Sequence, residues 1–220
     1  ETRVYLTSVV TDSELPGNLT KAELELDPRQ AAPANRMQDQ KRDFEFFRLA
    51  SKTTVENGDN AVDFIAAWTY KDLDHPIFQV IDQQGLRLMG GARYGRALGE
   101  RHRLLTGVDL DREEIDSKRF VNVFGEPGAP TLSADETVET VGVYAQDEMR
   151  LTDDLSLTLG ARYDRIRFAE DDRLQTPFDL SDERTFERVS PKLGLLWQAH
   201  PRASVYLNLA TAFQVPTKGE

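Results

Sequence analysis

Between residues 155 and 163 apolar and polar side chains alternate without a break. Leu155, Leu157, Leu159, Ala161 and Tyr163 form one set, and Ser156, Thr158, Gly160 and Arg162 the other. Successive side chains of an extended strand point to opposite faces, so this stretch reads as a strand whose faces meet different media. The same period of two recurs along the chain and predicts nine strands, at 2–10, 43–54, 61–71, 85–97, 102–113, 139–151, 155–168, 188–198 and 203–213. Most span about 10–13 residues, well past the ~5–6 usual in globular proteins and long enough for the ~9–11 tilted residues that cross a bilayer.

The connections between these strands alternate in predicted length. Short ones fall at 56–60, 98–101, 152–154 and 199–202, each carrying turn-forming Gly, Asn, Asp or Pro. Long ones fall at 11–42, 72–84, 114–138 and 169–187. Tight turns at one end and extended loops at the other are the pattern of an antiparallel transmembrane β-barrel. In the first long loop, Thr20-Lys21-Ala22-Glu23 has the form of a capping box and predicts one helical turn ending before Pro28.

Sorting residues by face sharpens the expectation. Val62, Phe64, Ala66, Trp68 and Tyr70, then Leu86, Leu88, Gly90, Ala92 and Tyr94, then Leu104, Thr106, Val108 and Leu110, form an uncharged set predicted to face lipid. Leu193, Leu195, Trp197, Val205, Leu207, Leu209 and Phe213 continue it. The opposite set, predicted to line the lumen, holds Asp63, Lys71, Arg87, Arg93, Arg103, Asp109, Arg162, Asp164 and Lys192. Arginine or lysine on the lipid face would cost about 2–4 kcal/mol near the midplane, so this sorting carries energy. Trp68, Tyr70, Tyr94, Tyr163, Trp197 and Phe213 lie near strand ends, as interfacial aromatic girdles do. Two strands break the rule: Asp147 falls in line with Val141, Val143 and Ala145, and Phe44, Phe46 and Phe47 cannot share a face. A bulge or a girdle position would account for either.

A soluble β-sandwich also alternates and is the main structural alternative; strand length, loop alternation and the placement of aromatics weigh against it. Mean hydropathy is −0.52 and no apolar run approaches the ~20 residues of a transmembrane helix. That leaves a barrel open, because half of each barrel strand faces water. The formal net charge of −11 argues against a nucleic-acid partner. With no cysteine, the chain has neither a disulfide framework nor a thiolate metal site.

Residues 141–164, VGVYAQDEMRLTDDLSLTLGARYD, contain a strand, a tight turn and the strand Gly160-Ala161-Arg162-Tyr163-Asp164. Further on come Ser190-Pro191-Lys192-Leu193-Gly194-Leu195 and Phe213-Gln214-Val215-Pro216-Thr217. This ordered set resembles the barrel of TonB-dependent outer-membrane receptors of the siderophore type, most clearly in the second half of the chain. The resemblance implies a barrel of about 22 strands, plugged by an N-terminal domain. The whole of 1–220 is then expected to be an internal stretch of that barrel, lacking the plug, the TonB-contacting segment and the closing strands. It implies a receptor in the outer membrane of a Gram-negative bacterium that takes up a ferric siderophore or similar iron chelate, energised through TonB. The implied partners are the chelate, TonB and outer-membrane lipid, with no cofactor and no enzymatic activity. A passive porin and a soluble β-rich binding module are the alternatives.

The carboxylates Asp111, Glu113, Glu114 and Asp116 read as a solvated rim, because neighbours on a strand point opposite ways and only alternate members could converge. His75, His102 and His200 form no metal-ligand or catalytic spacing. His75 and Phe78, in an outer loop, are the candidate ligand contacts. Arg87, Arg93, Arg103 and Arg162 either line a path for an anionic chelate or meet Asp63, Asp109, Asp164 and plug carboxylates, since buried charges need partners.

Overall fold

The computed structural model describes residues 1–215. They form one antiparallel sheet in which every strand pairs with its neighbours in sequence: β1 (Thr2–Thr11), β2 (Asp43–Asn57), β3 (Asn60–Pro76), β4 (Gln79–Leu98), β5 (His102–Val123), β6 (Glu126–Arg150), β7 (Leu155–Asp172), β8 (Asp182–His200) and β9 (Ala203–Ala210). All nine predicted strands are present. No second sheet packs on this one among the described residues, which removes the sandwich alternative. Pro216 and Thr217, from the segment that carries part of the resemblance, lie outside the described residues.

Two of the predicted long loops are strands. Residues 72–84 continue β3 and β4 to a turn at Ile77 and Phe78, and 114–138 continue β5 and β6 to a turn at Phe124 and Gly125. The remaining long connections are 12–42, with α1 (Lys21–Leu26) and α2 (Pro33–Met37), and 173–181. Hydrophobic alternation marks only the part of a strand whose faces meet different media. Beyond the membrane both faces are wet, so the pairing continues while its sequence signal ends. The capping box forms as expected, with Glu23 N–H donating to Thr20 Oγ1 and Thr20 N–H donating to Glu23 Oε2.

The pairing registers place the predicted lipid-facing residues on one face throughout. Phe64 pairs with Ala92, Ala92 with Val108, Val108 with Val143, Val143 with Tyr163, and Tyr163 with Val189. The apolar band on this face is sheared relative to the hydrogen-bond ladder. Following the ladder from Tyr70, the last apolar position of β3, leads through Leu86, Glu114, Thr137 and Ala169 to Glu183, whereas β8's apolar stretch ends six positions away at Val189. At the other margin, Val62 leads through Tyr94, Thr106, Ala145 and Ala161 to Pro191, and β8's stretch begins six positions away at Trp197. Six residues at ~3.4 Å over five interstrand steps of ~4.8 Å give a strand tilt of about 40°, inside the ~35–45° range of outer-membrane barrels. From Val62 to Tyr70 the tilted band is then roughly 21 Å tall, close to the ~25 Å apolar belt of such barrels.

The two exceptions resolve without a bulge, since neither register is interrupted there. Phe47 faces outward with its ring 5.4 Å from that of Trp68, while Phe44 and Phe46 point to the opposite face. Asp147 is on the apolar face, level with Leu104 and Leu159, and His102 Nδ1 donates to it at 2.8 Å. It is a girdle position beside the short turns.

Asp172 closes the 173–181 loop. Its carboxylate accepts from the N–H groups of Leu174 (2.9 Å), Gln175 (3.2 Å) and Leu180 (3.0 Å). It lies beyond the apolar band, and the Leu180 and Gln175 N–H groups hold its carboxyl below the usual carboxylate range. A carboxylate depressed in the folded state stabilises above its unfolded pKa, and that contribution is lost as pH falls through the folded value. Asp172→Ala is therefore expected to make 173–181 protease-sensitive at neutral pH, and the unaltered loop is expected to become sensitive only in acid. Equal cleavage of variant and parent at neutral pH would refute the role given to this carboxylate.

Candidate functional site

All the residues predicted to line the lumen share the face opposite the apolar band, and most are paired there. Arg93 donates to Asp63 from Nε at 3.0 Å and also from Nη2; Asp63 further accepts from Thr54 Oγ1 at 2.5 Å, with Lys52 Nζ 3.6 Å away. Arg87 donates to Asp111, from Nη2 at 2.6 Å. Arg162 donates to Asp109 at 2.6 Å and to Asp164 at 2.7 Å, and its guanidinium carbon lies 5.5 Å from the Tyr144 ring centroid. Lys192 donates to Gln146 at 3.2 Å, and Arg103 is exposed near the short turns. Three of the predicted path-lining arginines are thus neutralised by strand carboxylates, which are spaced to meet them by register: Asp63 opposite Arg93, and Asp111 a diagonal neighbour of Arg87.

Arg48 and Lys71, like Arg103, Arg188 and Lys192 of the same face, have no carboxylate partner among the described residues. With Phe46, Met89, Glu113 and Ile115, Arg48 and Lys71 line a hollow of about 260 Å³. Lys71 was placed on this face by its alternation; Arg48 was missed because three phenylalanines obscure the period of its strand. The rim carboxylates do not converge. Asp111 and Glu113 point to the charged face and Glu114 and Asp116 to the other, and no group of three or more potential metal-binding side chains occurs among the described residues.

Loop 12–42 is laced to the tips of two hairpins. Asn122 Nδ2 donates to the carbonyls of Gln38 (2.9 Å) and Ile77 (2.6 Å), and Lys41 N–H donates to the Pro76 carbonyl at 3.1 Å. His75 Nδ1 donates to the Lys41 carbonyl at 2.6 Å, so this ring helps to seat the loop. Phe78, at the tip of β3 and β4, is 71% exposed.

A tilted, one-sidedly apolar sheet with a charged reverse face defines a membrane-barrel wall, and comparison gives its family. Residues 16–220 match the family model described as TonB dependent receptor-like, beta-barrel, and the chain belongs to this family. The chain is 27% identical over 139 residues to the metal-pseudopaline receptor CntO of Pseudomonas aeruginosa UCBPP-PA14, a match covering 52% of this chain and 19% of that protein. Among solved structures it superimposes on the ferric citrate transporter FecA with a TM-score of 0.74 at 14% identity, covering 94% of this chain and 32% of FecA. It also superimposes on the ferric-catecholate import receptor Fiu of E. coli K12 with a TM-score of 0.69 at 15% identity, covering 98% of this chain and 45% of Fiu. The chain thus spans about a fifth of the curated relative and about a third of FecA. It is part of the β-barrel of a TonB-dependent receptor in the outer membrane of a Gram-negative bacterium, in a family of transport receptors and not of enzymes.

Proposed function

We propose that the complete protein imports an anionic metal chelate, a ferric siderophore or a chemically similar complex, with energy supplied through TonB. The carrying observation is the hollow bearing Arg48 and Lys71. Unpaired cations on a lumen wall attract an anion from a distance, whereas Arg87, Arg93 and Arg162 already have carboxylates. On this reading Arg87, Arg93 and Arg162 form a neutralised lattice with their carboxylates, and the hollow, where Arg48 and Lys71 stand side by side, is the selective part. Phe78 offers an exposed ring at the entrance, and His75 keeps Nε2 free to meet a ligand while Nδ1 holds the loop. The plug and the TonB-contacting segment belong to the complete receptor.

The test is uptake of radiolabelled metal by cells making the full-length receptor, with ferric citrate, a ferric catecholate and metal-pseudopaline as probes. Arg48→Glu/Lys71→Glu is expected to reduce uptake of the accepted chelate at least about tenfold, consistent with reversing two charges in a focusing cleft. Deletion of TonB is expected to abolish uptake. Undiminished uptake by the double variant would overturn the chelate assignment, and uptake that persists without TonB would favour a passive pore.

A further inference from the structure

Two neighbouring rows of the register build the hollow on the lumen face. One runs Arg48, Thr69, Arg87 and Glu113 from β2 to β5, and the other Phe46, Lys71, Gly85 and Ile115. Gly85 keeps the floor open, since a Cβ there would lie 4.0 Å from both the Lys71 Cβ and the Ile115 Cγ1.

The register sets Arg87 directly opposite Glu113, the placement in which opposite charges pair across strands. That pair does not form. The Arg87 guanidinium turns to the diagonal Asp111, where Nε donates to both carboxylate oxygens at 3.0 Å and Nη2 to one of them at 2.6 Å. Glu113 is left half-buried on the wall of the hollow, with no hydrogen bond or ion pair among the described residues. A charge withdrawn from water in this way is costly until it meets a partner. One wall therefore lacks a donor, while Arg48 and Lys71 on the other lack an acceptor. Two to three interstrand steps of ~4.8 Å separate the cations from the carboxylate, and the apolar side chains of Met89 and Ile115 help to line the space. At about 260 Å³ the hollow is smaller than the ~300–1,000 Å³ that encloses a whole drug-sized ligand. It takes one arm of a chelate.

We propose that this arm is zwitterionic. Its carboxylate accepts from Arg48 and Lys71, an aliphatic stretch lies over Gly85, Met89 and Ile115, and an ammonium group at the far end donates to Glu113. Glu113 is then a specificity-determining residue, which selects amino-acid-derived chelates over those whose charged groups are all anionic. A wholly anionic arm satisfies the cations but leaves Glu113 facing a like charge, and such mismatches discriminate between ligands as much as matches do. The assignment rests on the chelate import proposed above and names the chemistry of its ligand.

The test is uptake of radiolabelled iron by cells making the full-length receptor. The probes are the ferric complex of a catechol joined by an amide to the α-nitrogen of lysine, whose carboxylate and ammonium are both free, and the same complex acetylated on the ammonium. The unaltered receptor is expected to import the ammonium form about tenfold faster, the effect of one hydrogen bond between charged groups. Glu113→Gln, which keeps the shape of the side chain and removes its charge, is expected to abolish that preference. Equal uptake of the two probes by the unaltered receptor, uptake of neither, or a preference that survives Glu113→Gln would overturn the zwitterionic assignment. The chelate reading falls separately, when Arg48→Glu/Lys71→Glu leaves uptake of the accepted chelate undiminished.

Discussion

Val108→Arg is expected to destabilise the folded receptor by about 2–4 kcal/mol, the cost of an arginine near the bilayer midplane. Leu105→Arg, three residues earlier on the same strand, is expected to be tolerated. Val108 pairs with Ala92 and Val143, in a row that continues to Phe64 and Tyr163, so no carboxylate stands within reach of a new guanidinium. Leu105 points to the charged face, where it pairs with Gly95 and Gln146 and an arginine remains in water. Urea unfolding of the full-length receptor in bilayers measures both. Equal stability of the two variants would mean that the two faces meet the same medium, and the barrel-wall reading would fall.

The two faces were legible in the sequence because lipid and water impose opposite demands on alternate residues. Val62 to Tyr70 and Leu193 to Trp197 were both readable in this way. The six-residue offset between the apolar bands of β3 and β8 was not. Tilt is a relation between strands, and a period read along one strand contains no information about its neighbour's register. The same limit explains why residues 72–84 and 114–138 read as loops. In those stretches Asp72, Asp74, Asp82, Asp116 and Asp135 occupy the face that is apolar lower down, so alternation vanishes although the ladder continues. The turns that close the two hairpins are short, and Phe124, which adopts a left-handed φ of 57° before Gly125, is a weak turn signal.

The candidate site was legible in kind and not in detail. Reading by face correctly grouped Arg87, Arg93, Arg162, Asp63, Asp109 and Asp164 on one side, but which arginine meets which carboxylate depends on register. Arg162 illustrates this: it joins Asp109 of β5 to Asp164 of its own strand across the intervening β6. Arg48 was hidden for a different reason. Phe44, Phe46 and Phe47 are apolar on both faces, so β2 had no period from which to place it.

The second large effect concerns a glycine that holds this lattice open. Gly107 pairs with Arg93 and Tyr144, and a Cβ added there would run into the Tyr144 ring and lie 2.8 Å from the Ala92 carbonyl oxygen. The missing side chain is what lets Tyr144 lie flat across β5, and Tyr144 in turn supports the guanidinium of Arg162. Gly107→Val is therefore expected to destabilise the receptor by about 1–3 kcal/mol, the usual cost of overpacking, by forcing Tyr144 aside. Part of the cost should depend on Tyr144, because contacting residues couple by ~0.5–3 kcal/mol. Measured by urea unfolding, Gly107→Val should cost less in a Tyr144→Ala background than in the parent. Strictly additive effects would show that the Ala92 carbonyl alone requires the glycine, and that Tyr144 and Arg162 are not braced through this position.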